Sequence, residues 1–280
     1  MLPRIDLQAM ERVARDMANQ ELSKYLCSTM DAVLPRIPTI PQYVPHLVAM
    51  AGELACAAGY DQGRTYSIYV MICFLLGPGW EHDPGNRRVT QALADPGTDI
   101  DARLNLALNQ AIQQRKRLET RLPQMLARIE QMLAREDTAL METVWDDFRK
   151  WARSWHGIAE EDQVLDLFEI YETGAFQLHR RKPPQRKRLT ASDRQTYARI
   201  NWPLPQPADP YREFAPQVSL MIGRLVLLAM AYGRTFYRNP LLQPLHQILV
   251  ETPTSPLQTT ALQAFIRQHR HALTEHPHGR

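Results

Sequence analysis

Gly77-Pro78-Gly79-Trp80-Glu81-His82-Asp83-Pro84, with Leu93 nine positions after Pro84, is echoed later in the chain. The echo is Gly233-Arg234-Thr235-Phe236-Tyr237-Arg238-Asn239-Pro240, with Leu249 nine positions after Pro240. Glycine, an aromatic residue, Asp or Asn before proline, and leucine recur at one constant offset. An apolar segment precedes each copy, 66–76 in the first and 218–232 in the second. Self-similarity of this kind predicts a duplicated helical unit. A duplicated scaffold without catalytic motifs points to binding rather than to chemistry.

Upstream of the first copy, Leu7, Met10, Val13, Ala14, Met17, Leu22, Tyr25 and Leu26 fall mostly three or four residues apart, the spacing of one helical face. Pro35, Pro38, Pro41 and Pro45 then interrupt the chain, because proline cannot continue a helix interior. A second helix is predicted over 45–58 and a third over 64–76, stopped by Gly77-Pro78. Downstream, a short helix over 86–94 leads into the longest one.

That longest helix carries Leu104, Leu108, Ala111, Arg115, Leu118, Leu122, Met125, Ile129 and Met132 at alternating steps of four and three, an a/d seam broken by Arg115. Pro123 is expected to kink it or to begin a new helix. The seam can pack inside its own domain or pair with a second chain as a homodimer contact. In the second half, Trp145, Phe148, Trp151 and Trp155 share one broad face and read as core. Further helices are predicted at 217–232, 241–250 and 256–273, with a connector over 179–216 and a possible short helix inside it over 192–200. No sustained strand-type alternation occurs. The expected class is all-α, a multi-helix bundle of two related halves, 1–135 and 136–280.

Hydrophobic residues make up 44% of the 280 and charged residues 22%, which excludes a disordered chain. A net charge of +3 does not by itself call for a polyanionic partner. Cys27, Cys56 and Cys73 form neither a Cys-x-x-Cys motif nor an even set, so they predict neither a zinc ribbon nor a disulfide framework. Charges at Asp6, Glu11, Arg12, Arg15 and Asp16 deny the N-terminus a secretory core. The apolar run 66–80 is shorter than the roughly 20 residues that a membrane-spanning helix needs. The expectation is a cytoplasmic protein without a membrane span.

Carboxylates adjoin at Glu136-Asp137, Asp146-Asp147 and Glu160-Glu161-Asp162, but helix neighbours point about 100° apart and cannot address one substrate atom. His269, His271, His276 and His278 cluster near the end, where a tail lacks the partners that fix metal ligands. No metalloprotease helix, nucleophile elbow or phosphate loop is present, so neither catalytic, metal nor cofactor residues are assigned. An active site assembled from distant residues, His82, Asp83 and Glu160 for example, stays open. The sharpest surface feature is basic: Arg180, Arg181, Lys182, Arg186, Lys187 and Arg188. Such a run suits a solvated linker first, or docking on an acidic protein surface; nucleic acid is less favoured, since aromatics for base stacking are missing within it.

Over 5–112 the order is an opening amphipathic helix, a helix ending in Gly59-Tyr60, and an apolar helix closing on Gly77 and Trp80. Asp83-Pro84, Leu93-Ala94-Asp95 and Arg103-Leu104 follow. This resembles the small all-helical proteins found alongside type VI secretion effectors and spike components. Pro78-Gly79 and Gly85 depart from that pattern, and the second half is longer. The resemblance lends no catalytic residues. It implies an accessory role, as a chaperone or adaptor for a toxin effector or secretion-spike component; the alternative is an immunity protein that neutralises a cognate toxin.

Overall fold

A computed structural model describes residues 7–29, 36–94, 97–134, 140–158, 160–178, 180–184, 191–201, 214–251 and 256–275. Among these the secondary structure is helical throughout, without a strand. The α-helices are α1 (Leu7–Thr29), α2 (Val44–Ala57), α3 (Gly63–Leu76), α4 (Arg87–Ala94), α5 (Ile100–Leu133), α6 (Leu140–Trp151), α7 (Glu161–Leu178), α8 (Ala191–Arg199), α9 (Pro216–Tyr232), α10 (Gln243–Glu251) and α11 (Pro256–Glu275). The all-α expectation holds, and the helix limits fall close to those read from proline and glycine. No helix among the described residues is long and apolar enough to cross a membrane.

Two apolar cores organise the chain. The first gathers α2, α3 and the start of α5 around Leu47, Tyr69, Phe74, Trp80 and Leu104. The second gathers α6, α7, α9 and α11 around Phe148, Phe168, Phe176, Val226 and Leu262. Helix α5 belongs to both: Leu104, Ala107 and Ala111 lie in the first core, Leu122, Leu126, Ile129 and Met132 in the second. At 34 residues it is roughly 50 Å long, enough to run beside both.

Of the two readings of the seam, this placement supports packing within the chain. Its Leu104, Ala111, Leu122, Ile129 and Met132 are buried within the chain itself, against α3, α4, α9 and α11. Arg115 does not break the packing, because its guanidinium pairs with Glu119 one turn on. Pro123 neither ends α5 nor starts a new helix; α5 runs through it as one element.

The two echoing segments fold alike. Gly77 and Gly233 close α3 and α9 with φ of 89° each, donating their N–H groups to Cys73 and Ala229 carbonyls at 2.8 Å. A positive φ beyond a helix end suits glycine, which has no Cβ to clash. A 3₁₀ turn follows in each, Trp80–His82 and Phe236–Arg238, and both rings are buried. Asp83 and Asn239 then cap a second 3₁₀ turn, accepting from Gly85 N at 2.8 Å and Leu241 N at 3.0 Å. Pro84 and Pro240 occupy its first position, where a missing N–H costs nothing.

Candidate functional site

The two turns meet, and they meet reciprocally. Asp83 Oδ2 accepts from Arg234 N at 2.9 Å and lies against Gly233, where a Cβ would stand 3.3 Å away. Asn239 Nδ2 lies against Gly77, where a Cβ would stand 3.2 Å away. Each capping side chain therefore reaches the glycine that ends the other segment's helix. Thr235 Oγ1 donates to Pro78 O at 2.9 Å and Arg234 Nη1 to His82 O at 3.3 Å, which tightens the same seam.

Helix α7 backs this junction. Its Tyr171 OH donates to Asp83 Oδ1 at 2.9 Å, and Gly174 lets the Arg234 carbonyl come within 3.2 Å of where a Cβ would be. Burial, reinforced by the Asp83 charge, pushes the Tyr171 hydroxyl well above its usual range. Tyr171 thus stays a proton donor at neutral pH.

Beside it, α6 ends in a π-helical turn, Ala152–His156, closed by Gly157 with a φ of 68°. Such turns are frequent at functional sites. Here the turn places Trp151 edge-on to His156 (4.6 Å) and Tyr171 (5.3 Å). Burial, opposed by the nearby Asp83 charge, pulls the His156 imidazole down to about 4, so it is neutral at pH 7. Trp151 Nε1 and His156 Nε2 are buried and hydrogen-bonded to nothing among the described residues.

A cavity of about 90 Å³ runs from this cluster to Ile37, Pro38, Tyr232 and His269. It is smaller than a pocket for a drug-sized ligand, roughly 300–1,000 Å³, though ample for water molecules. Chemically, the arrangement is a clamp. Asp83 is 8% exposed and its carboxylate serves three internal donors, so it is not presented to a substrate as a base. His82 and Glu160 are both exposed and do not join it in a pocket.

The basic residues proposed as a partner site divide. Arg180, Arg181 and Lys182 are exposed. Arg180 N and Arg181 N donate to the Gln177 and Phe176 carbonyls, so this part of the run also caps the negative end of α7. Arg186, Lys187 and Arg188 lie outside the described residues, as do Glu136, Asp137, His276 and His278. Asp146 and Asp147 are taken up in ion pairs with Arg149, Arg128 and Lys150. No group of three or more His, Cys, Asp or Glu among the described residues could hold a metal ion. His269 is not part of a loose tail: it is buried on α11, and α11 runs on to Glu275.

A second candidate surface is α1. Leu26 and the partly buried Leu22 face the first core, and Tyr66 OH donates to Asn19 at 2.5 Å. Met10, Val13 and Met17 sit on another face, 61%, 59% and 63% exposed, at the i, i+3, i+7 spacing of a docking stripe. The periodicity of 7–26 identified a helix but merged these two faces into one. Tyr171, His156 and Arg234 carried no local signal, since their roles arise from chain segments far apart. No family model, curated protein or solved structure matches the chain.

Proposed function

We propose that this chain is a non-catalytic binding protein, built on a duplicated helical unit, that takes an amphipathic helix of a protein partner along α1. The observation that carries the reading is the Met10–Val13–Met17 stripe, apolar and uncovered on a helix already anchored through its other face. Methionine suits such a surface, because its flexible, polarizable side chain adapts to varied apolar shapes. The exposed Arg180, Arg181 and Lys182 favour a partner with an acidic flank, by steering encounter more than by adding affinity. The resemblance over 5–112 narrows the proposal to a chaperone or adaptor for a secreted effector. Toxin neutralisation would use the same docking with a different consequence.

The test is capture of a co-expressed effector by the tagged chain. The double change Val13→Glu and Met17→Glu is expected to weaken capture at least tenfold, as two desolvated charges enter an apolar contact. Its melting temperature should stay near that of the unchanged chain, since surface substitutions usually cost within about 0.5 kcal/mol. Undiminished capture by this variant would refute the docking face. Rescue of cells from the effector without its export would favour the immunity role.

A further inference from the structure

We propose that the segment 36–39, between α1 and α2, is a strap closed over the central cavity and latched by His269, and that acid releases it. The proposal rests on geometry independent of α1. Ile37 and Pro38 line the cavity, so the strap forms part of its wall. Two bonds to one residue hold the strap down. The Arg36 carbonyl lies 2.9 Å from His269 Nε2 on α11, and the Arg36 guanidinium lies 3.4 Å from Glu119 on α5.

The first bond fixes the state of the imidazole. A carbonyl only accepts, so His269 Nε2 must carry the proton and donate it. Nδ1, 2.9 Å from Tyr232 OH, then accepts from the hydroxyl. The ring stacks on Tyr232 and is 2% exposed. Of the groups facing it, the Arg36 carbonyl favours a second proton, and burial and the Arg115 charge oppose it. Tyr232 on α9 uses its O–H as donor, and two guanidiniums, Arg36 of the strap and Arg115 on α5, share the single Glu119 carboxylate.

Burial, with Arg115 acting in the same direction against the Arg36 carbonyl bond, pulls the latched imidazole from 6.5 down to about 4. When the strap lifts, His269 regains an ordinary histidine's affinity for protons. The open form therefore binds more protons between pH 6.5 and about 4. The closed form keeps its full advantage above that window and loses it as pH falls through it. Opening should rise about tenfold per pH unit, up to roughly 300-fold across the window. Release would admit solvent to a cavity in which the Trp151 N–H still lacks an acceptor.

Hydrogen exchange at the Thr39 and Tyr43 amides, corrected for intrinsic chemistry, measures this opening from pH 7 to pH 4. The Thr39 amide is bonded within the strap to the Ile37 carbonyl, and the Tyr43 amide, just beyond the strap, to the Ile40 carbonyl. The expected result is a steep increase in the unchanged chain while α3 amides keep their protection, and a flat profile in H269Q. Glutamine can still donate to the Arg36 carbonyl and cannot be protonated. Acid loosening that ran through the Glu119 carboxylate would persist in H269Q, so an equal slope in both proteins overturns the latch. A flat profile in the unchanged chain does the same. Should H269Q fail to fold, nitrogen NMR of His269 in the unchanged chain decides: an Nε2–H tautomer titrating near 4 supports the latch, and a midpoint near 6.5 overturns it.

Discussion

Trp80→Ala is expected to destabilise the protein by roughly 3–5 kcal/mol, the usual cost of deleting a buried large aromatic. The ring is 1% exposed and 5.9 Å from the Tyr69 ring. Two losses combine there. The apolar area returns to water, and the cavity left behind cannot collapse, because α3 and the turn are fixed at Gly77 and Asn86; the Asn86 side chain donates to the Trp80 carbonyl at 3.1 Å. For a chain of this length, such a loss lowers the melting temperature by roughly 5–8 °C, readable by calorimetry. Phe236→Ala, in the matching position and 4% exposed, should fall in the same range. A shift under 1 °C for either ring would remove it from the core.

Asp83→Ala carries the second large expected effect, about 3–4 kcal/mol, for a different physical reason. It deletes no great volume, but it strands the Tyr171 hydroxyl and the Arg234 and Gly85 N–H groups; each unmet buried donor costs about 1–3 kcal/mol, not additively. Asp83→Asn separates charge from shape. The amide keeps the size and one acceptor oxygen, yet turns an NH₂ toward one of these donors, so about half the loss should remain. Denaturant unfolding of both variants checks this, with the Ala change expected to be the worse. An Ala variant as stable as the parent chain would show that the junction is held by apolar packing alone.

How far the sequence could be read depended on the range of the interaction. Proline and glycine act within a few residues, so the limits of α2, α3, α4 and α9 came within three residues of Pro45, Gly77, Pro84 and Gly233. The shared Gly, aromatic and Asx-Pro order correctly singled out two segments that fold alike. Their meeting was not legible, because Asp83 and Arg234 lie 151 positions apart and no periodicity records that distance. The same limit hid Tyr171, an aromatic like any other on an amphipathic helix until the fold brings it to Asp83. Arg115 misled in the opposite sense. A charge in an apolar seam reads as an interruption unless its neighbour Glu119 is recognised as its partner. Short range also concealed the π-helical turn after Trp151, since one extra residue in a helical turn leaves no compositional mark.

Helix α5, threaded through both cores, governs how the molecule comes apart. Neither half can melt while the other stays intact, because each would take with it a stretch of the same rod. Leu241, seated in the first core although it belongs to the second turn, adds a further tie. Heating should therefore give one calorimetric transition whose van't Hoff and calorimetric enthalpies agree. The long separations joined at Asp83 predict slow assembly, with the halves docking late. On this view the chain is one cooperative unit, and damage to either core is felt as a loss of the whole.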